Sequence, residues 1–498
     1  MTANGKEIEL KLLLPAGTKS LMSHPRMAAK PASRQRLQTI YFDTPDFKLA
    51  ERGIALRVRR IGRRWIQTLK VEGNSSGGLS TRGELEVPVS GPGIEFERFP
   101  PEAEKYVPNS LRKKLVPVFE TRFARRSRQV NGIRGSQIEV ALDEGEIRAG
   151  ERTEWIQELE LELKSGRPDA LFALAMELGE MVPLWPFDRS KAERGVCLAR
   201  NIGAAPIKAK FPALDRRLPP ADAWRVIATQ CLRQLSANLP GIGYANDPEY
   251  LHQARVALRR FRSSYSLFKR GLPLPLVLLG ELRKLNTVFG PARDWDVFCT
   301  ETLPPLRAAL PDSGPLEQLA GRADHARRHT HDQVKAYLQS PACGRLLLGL
   351  GRHLEESHRH FVVELGDPDL GDFAARHLKK RYRQMRAILA NPVTGVAERH
   401  RLRISIKRLR YTLDCFSSLY SEGAVAGMTA ALADLQTILG NMNDMAVADR
   451  LMASMEDDSA ELQRARDLVH GWLAATGLKS EKKLGSALQK FSRIKRFW

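Results

Sequence analysis

Cysteine is scarce in this chain. The five present, Cys197, Cys231, Cys299, Cys343 and Cys415, are widely scattered and form no CxxC pair. That excludes a disulfide framework and reads as reduced, cytosolic thiols. Aromatic residues are also few, at 7%. Stacking platforms for single-stranded nucleic acid are correspondingly scarce, and no nucleic-acid module is recognisable. Long apolar runs are missing: the most apolar stretch, Leu272 to Leu279, is broken by Pro273 and Pro275 and is far too short to span a bilayer. The start, Met1 to Lys11, is charged at once and has no apolar segment, so no signal peptide is read. No Walker A loop, GxGxxG unit or GxSxG elbow appears in a suitable context. Acidic residues fall short, 57 against 79 Lys and Arg, for a net charge of +22. Most of this excess follows residue 200. Such a balance favours polyanions (nucleic acid, anionic membrane or polyphosphate) without choosing among them.

What is present divides by periodicity. Residues 1–200 alternate charged and apolar positions repeatedly: Glu7 to Leu12, Leu56 to Arg59, Glu84 to Val87 and Glu158 to Lys164. Alternation of this kind gathers the charges on one face of a strand. Residues 201–215 read as a linker containing Gly203, Pro206 and Pro212. From 216 to 498 the period is helical. This part contains a duplication: His252, Arg255, Arg259 and Arg262 recur as His400, Arg403, Lys407 and Arg410, and Phe268 recurs as Phe416. The repeats run about 216–345 and 346–498. The expected fold is α+β and multidomain. A closed antiparallel β-barrel with flanking helices comes first, followed by an all-α duplicated helical bundle.

Glu7, Glu9 and Lys11 share a strand face. A second acidic strand carries Glu158, Glu160 and Glu162, and basic strands carry Arg57 and Arg59, Lys70, Arg82, and Arg122 and Arg126. Close carboxylates repel unless a cation lies between them. Hard dications prefer oxygen ligands and bridge carboxylates to phosphates. With these faces turned inward, a barrel would have the mixed wall that metal-assisted phosphoryl transfer requires. A charged strand face is more often simply solvated. Several such strands in one domain weaken that simpler reading.

These blocks resemble the CYTH superfamily, the triphosphate tunnel metalloenzymes. The resemblance rests on Glu7 to Lys11, Tyr41-Phe42-Asp43-Thr44-Pro45, Leu56 to Arg59, Thr68-Leu69-Lys70 and Arg82 to Glu86. It continues through Leu142 to Ile147, Glu158 to Glu162 and Ser190 to Gly195. It implies an eight-stranded barrel around a charged tunnel, hydrolysing inorganic or organic triphosphates. Chains continued by a helical domain, as here, resemble bacterial inorganic triphosphatases most. By resemblance, Glu7, Glu9 and Lys11 form the catalytic strand. Glu7, Glu9, Asp143, Glu158, Glu160 and Glu162 surround Mg²⁺ or Mn²⁺, with the direct ligands among the last three left open. Lys11, Arg57, Arg59, Lys70, Arg122 and Lys191 hold triphosphate, and Arg82, Glu84 and Glu86 line the tunnel.

In the helical part, the three-four-three spacing of His252, Arg255, Arg259 and Arg262 places them on one helix face. Leu258 and Phe261, like Ile406 and Leu409, point elsewhere. Like charges at i,i+4 cost a few tenths of a kcal/mol each, so a pattern kept twice argues for a shared anion. His252 to Arg262, Gly290 to Asp294, His400 to Tyr411 and Gln436 to Asp444 resemble the CHAD domain, the conserved histidine α-helical domain. The resemblance implies binding of inorganic polyphosphate by His252, Arg255, Arg259, Arg262, His400, Arg403, Lys407 and Arg410. Asp414 stands where Glu is expected.

The readings then are an Mg²⁺- or Mn²⁺-dependent inorganic triphosphatase, cytoplasmic and associated with polyphosphate granules, or a non-catalytic polyphosphate-binding protein. Nucleic-acid binding and a cyclase are further alternatives. His325, His329, His331, His353, His358 and His360 fit no zinc motif and read as helix surface. The tail from Lys479 to Trp498 reads as a packing helix.

Overall fold

Alternation in the first part of the chain yields eight long strands: β1 (Lys6–Leu13), β2 (Ser33–Asp43), β3 (Ile54–Ile61), β4 (Arg64–Ser76), β5 (Leu79–Val89), β6 (Val116–Asn131), β7 (Gln137–Ala149) and β8 (Arg152–Ser165). The computed structural model describes every residue except 1–5, 16–18, 29–32, 77, 209–210, 246, 361–368, 392, 394 and 456–458. The strands are antiparallel and pair in the order β5-β4-β3-β2-β6-β7-β8-β1, and β1 pairs again with β5. In β1, Lys6–Leu10 face β5 and Glu9–Leu13 face β8, overlapping at Glu9 and Leu10.

The period of two decides which face is apolar. Leu10, Leu12, Val140, Leu142, Leu159, Leu161 and Leu163 are all buried and pack with Phe172, Leu174 and Leu178 of the helix Asp169–Leu178. Each such side chain contributes about 1.5–3 kcal/mol when fully buried. The charged residues of the same strands are thereby committed to the opposite face.

The chain packs as two units. The first is Met1–Ile207 with Leu235–Ala245 and Leu338–Glu356. The second is Lys208–Gln234, Asn246–Tyr337 and Ser357–Trp498. Two segments from beyond residue 216 thus belong to the first unit. Helical periodicity marks where helices run, not which packed body they join.

The second unit is mostly helical. Pro248–Phe268 and Val396–Phe416 are the two stripe-bearing helices. Leu258, Phe261, Ile406 and Leu409 are all buried, as the stripe pattern requires. Phe268 and Phe416 are buried in one aromatic cluster. Phe373 stacks on Phe268 at 4.8 Å and meets Phe416 edge-on at 6.1 Å. Trp224 packs 5.6 Å from Phe268. Equivalent positions of the duplication therefore meet around shared rings. The last helix, Ala460–Ser492, buries Leu484 and Phe491 against Leu402, Leu409 and Leu435, which is the packing role read for the tail. Among the described residues no helix is long and apolar enough to cross a membrane.

Phe416→Ala should lower stability by about 3–5 kcal/mol, with Phe416→Leu losing much less. Urea denaturation followed by far-UV circular dichroism checks this. Equal losses for the two variants would contradict a ring-specific contact.

Candidate functional site

A cavity of about 890 Å³ lies against the charged strand faces in the first unit. Glu7, Glu9, Lys11, Arg57, Arg59, Lys70, Glu84, Glu86, Glu160, Glu162 and Lys191 all line it. Two flanking motifs shape its rim. In Tyr41-Phe42-Asp43-Thr44-Pro45, the Asp43 carboxylate accepts the backbone N–H groups of Thr44 at 2.7 Å, Leu49 at 2.8 Å and Ala50 at 2.9 Å. That motif is a cap for the short helix Lys48–Glu51, not a ligand set. In Ser190 to Gly195, Ser190 and Glu193 form a capping box that starts the helix Lys191–Ala199. A side chain at Gly195 would run into Phe119 of β6, so glycine lets this helix lie against the wall.

The cavity charges are paired across strands. Lys70 Nζ donates to Glu7 Oε2 at 2.7 Å and sits 3.4 Å from Glu84. Arg57 reaches Glu84 at 3.5 Å, and Lys11 lies 3.6 Å from Glu9. Ser80 donates to Glu9 at 3.2 Å. Arg59 donates to Thr39 at 3.1 Å. Burial, then Arg57 and Arg125, pull the Arg59 guanidinium down to about 10, so it remains a cation at neutral pH in a crowd of cations. Acids also line up: Glu9 is opposite Glu162, and Glu162 is opposite Glu139. Like charges directly opposite are destabilising. Burial pushes the Glu162 carboxyl up, and Glu7 and Glu139 add to it, although Lys164 at 2.7 Å opposes.

A second cluster runs from this wall, at Arg125, Glu160 and Lys191, into the interior. Asp143 and Glu158 are fully buried and do not line the cavity. Lys191 Nζ is 2.7 Å from Asp143 and 2.8 Å from Glu160, and also pairs with Glu158. Arg125 donates to both oxygens of Asp143 at 2.7 Å and bonds Glu160. Arg194 donates to Glu158 at 3.1 Å and to Glu154 at 2.7 Å. Burial pushes Glu160 up and Lys191 down, and the opposing charges reverse both, holding the carboxyl low and the ammonium high.

The expectation for Arg122 needs correcting. Its side chain is half exposed, pairs with Glu120 at 2.7 Å, and is not on the cavity wall. Parity explains it: in β6, Phe119 and Arg125 line the cavity, so even-numbered Arg122 and Arg126 face the other way. Arg126 pairs with Glu144 there. Arg125 is the β6 cation of the site. Its signal was available, because it shares odd spacing with Phe119 and Phe123. Lys164 and Arg189 also line the cavity, although the sequence reading does not include them. Arg82 pairs with Glu7 along the backbone, and its side chain lies outside the described residues.

Hard dications need oxygen donors. Glu7, Glu9 and Glu162 supply them at the cavity surface, in a row of acids that a cation would relieve, and they fit Mg²⁺ or Mn²⁺. Asp143, Glu158 and Glu160 are, among the described residues, the one carboxylate trio with ligand atoms within 4.8 Å of one another. That trio is already filled by protein cations. His331 bonds buried Asp296 at 2.8 Å, so it is a packing contact rather than open surface. The side chains of His358 and His360 lie outside the described residues.

In the second unit the two stripes converge. Lys407 is pulled down to about 8 by burial first, then by Arg403, Arg259 and Arg255, with only Asp444 opposing. Arg255 and Arg403 are likewise lowered by burial, each with Arg259 as a repelling neighbour. Nε of Arg255, Arg259 and Arg403, and Nη1 of Arg255, are buried without a hydrogen-bond partner. His252 is half-buried, lowered by burial and by Arg293. Arg262 and His400 are exposed. Arg410 is occupied by Gln436 at 2.9 Å.

The fold and the two sites define a two-part class: an antiparallel sheet with a mixed-charge cavity, and a duplicated helical body with converging cations. Residues 5–196 match the CYTH domain and residues 226–453 match the CHAD domain, so the chain carries a CYTH domain followed by a CHAD domain. It is 35% identical over 211 residues to an inorganic triphosphatase of Haemophilus influenzae, covering 39% of this chain and 55% of that protein. The chain thus spans about half the length of that curated relative. An uncharacterized protein of Mycobacterium tuberculosis is 27% identical over 437 residues, 83% of this chain and 81% of its own. The crystal structure of the CHAD domain from the plant Ricinus communis is similar with a TM-score of 0.53 and 29% identity, covering 59% of this chain and 98% of that one.

Acylation of Lys407 by an amine-directed reagent, followed by mass spectrometry, should reach half of its maximal rate near pH 8. Exposed lysines should keep accelerating toward pH 10. A Lys407 profile matching theirs would contradict the convergence.

Proposed function

We propose that the first unit hydrolyses inorganic triphosphate to diphosphate and phosphate, and that the second binds inorganic polyphosphate. The observation that carries the first part is the cavity wall. It sets Glu7, Glu9 and Glu162 beside Lys11, Arg57, Arg59, Lys70 and Arg125. The relative named an inorganic triphosphatase supports it over the same part of the chain. In this reading the eight strands form a closed tunnel. Lys11, Arg57, Arg59, Lys70 and Arg125 hold phosphate oxygens. Glu84 orients the cations of the neighbouring strands, Lys70 and Arg57, and Glu86 lines the same wall. Glu7, Glu9 and Glu162 would hold Mg²⁺ or Mn²⁺, which when bound supplies positive charge against the phosphate oxygens. Cations fixed on the cavity wall stabilise charge as it shifts to the leaving phosphate.

For the second part, the buried, unpartnered N–H groups of Arg255, Arg259 and Arg403 need an acceptor, and a phosphate chain supplies acceptors along its length. His252 and Lys407 extend the same face. Arg262 and His400 would meet a longer chain at the rim. The modules are proposed to run 1–200 and 216–498, joined by 201–215. Free cysteines throughout support a reducing, cytoplasmic setting, with polyphosphate granules as the place where the second unit would hold the protein.

Phosphate release from tripolyphosphate, ATP and long-chain polyphosphate tests the hydrolase. Glu7→Gln/Glu9→Gln should reduce tripolyphosphate turnover about 100-fold or more. Turnover of ATP alone would redirect the reading to nucleotides. No release with Mg²⁺ or Mn²⁺ would leave a polyphosphate-binding protein. In binding titrations, Arg259→Ala and Arg403→Ala should each weaken polyphosphate affinity about tenfold. Affinity should fall as pH rises past about 8, where free Lys407 loses its proton, and Lys407→Arg should flatten that fall. Unchanged affinity in both arginine variants would sink the binding site.

A further inference from the structure

Among the described residues of the helical unit, Leu276 and Val277 are the most exposed large apolar side chains, at 83% and 76%. Their exposure is built into the turn before them. Leu272 and Leu274 are buried there. The Leu272 N–H donates to the Phe268 carbonyl at 3.1 Å, and the Leu274 N–H donates to the Tyr265 hydroxyl at 2.9 Å. Pro275 then caps the helix Leu276–Val297. Two aliphatic side chains are thus held in water on a firm base, forgoing the burial that favours such groups. Cations flank them. Lys269 and Arg270 are exposed at the entry to the turn. Arg283 and Lys284 are exposed two turns into the helix, about 10 Å along its axis from the tip. Glu281 offsets part of that charge, 3.1 Å from Lys284. The helix Leu370–Leu389 lies beside the same turn: Arg381 donates to Ser266 at 3.2 Å. Burial, then Arg376, Arg381, Lys380 and Arg270, push the His377 imidazole down to about 4, so Arg270 belongs to that helix's cationic surroundings. Arg376, Lys379, Lys380, Arg383 and Arg386 are exposed, and Asp372 is the one acid in the helix. Their spacing of three and four puts them on one outward face, where like charges repel.

We propose that this face docks the protein on an anionic lipid surface, with Leu276 and Val277 entering the bilayer interface and the surrounding cations meeting lipid phosphates. Apolar groups of an interfacial anchor reach about 5–10 Å into the boundary between headgroups and acyl chains. That depth matches the setback of Arg283 and Lys284 from the tip. A small apolar anchor alone holds a membrane only marginally, and a basic patch beside it supplies the second attachment. A soluble polyphosphate would satisfy the cations and leave the two aliphatic side chains in water. An apolar protein surface would cover the tip and leave the cations without partners. An anionic bilayer answers both. The stretch Leu272–Leu279 is too short to cross a bilayer and suffices to enter one leaflet. The proposal uses no residue of the triphosphate cavity or of the two converging stripes.

Cosedimentation of the full-length protein with vesicles tests this, with polyphosphate titration in solution alongside. Wild type should pellet with vesicles of phosphatidylcholine mixed equally with phosphatidylglycerol, and stay in solution with phosphatidylcholine alone. Leu276→Ser/Val277→Ser should weaken binding to the mixed vesicles about tenfold or more and leave polyphosphate affinity unchanged. Lys380→Gln/Arg383→Gln should weaken vesicle binding about 25-fold, at about fivefold per cation. All four side chains are exposed, so both variants should fold, and circular dichroism confirms it. Wild type that ignores the mixed vesicles would overturn the proposal. So would undiminished binding by Leu276→Ser/Val277→Ser, which would reduce the attachment to bare charge attraction. Dimerisation in analytical ultracentrifugation that this variant loses, without any vesicle binding by wild type, would give the face to a second copy of the chain instead.

Discussion

Charges turned away from water must neutralise one another, and the first unit is arranged around that requirement. The apolar alternate residues of β1, β7 and β8 are claimed by the helix Asp169–Leu178. The intervening Glu, Asp and Lys side chains are thereby sent to the other face. Removing one member of a buried ion pair typically costs about 3–5 kcal/mol. The cluster of Asp143, Glu158, Glu160, Lys191, Arg125 and Arg194 is therefore a rigid foundation. The cavity charges in front of it are more loosely matched, with acids facing acids at Glu9, Glu162 and Glu139. Matched charge sits deep and mismatched charge sits at the surface of the cavity, where a ligand can complete it.

The helical unit solves the opposite problem. Its cations are brought together with few acids to balance them. Asp444 and Asp294 are near, but burial pushes both carboxyls up, against the pull of Arg403 and Arg255 respectively. Buried guanidinium N–H groups without acceptors are a standing energetic cost. The aromatic and aliphatic packing beneath the stripes, from Leu258 and Phe261 to Ile406 and Leu409, offsets it. One unit stores compensated charge and the other stores uncompensated charge.

Much of this was legible in the residue order. Period-two alternation located the strands and put Glu7, Glu9 and Lys11 on one face. Three-four spacing located the stripes, and the offset of the duplication paired Phe268 with Phe416. Parity within β6 puts Arg125, not Arg122, on the cavity side with Phe119, against the expectation for Arg122. Depth was not legible. Nothing in Glu158-Leu-Glu160-Leu-Glu162 separates a buried carboxylate bound by arginine from one at a cavity surface, because that depends on which strand lies opposite. Membership of packed units was likewise hidden, since Leu338–Glu356 has ordinary helical spacing yet joins the strand unit.

The aromatic cluster of the helical unit bears on how its two copies relate. Trp224 and Phe268 come from one copy, and Phe373 and Phe416 from the other. Neither copy closes this cluster alone. The copies are then bound to fold together, and a chain released after the first would present unpaired rings to solvent. The two copies thus share one aromatic cluster rather than each closing its own. The copies differ in detail, with arginine at 259 and lysine at 407, around those shared rings.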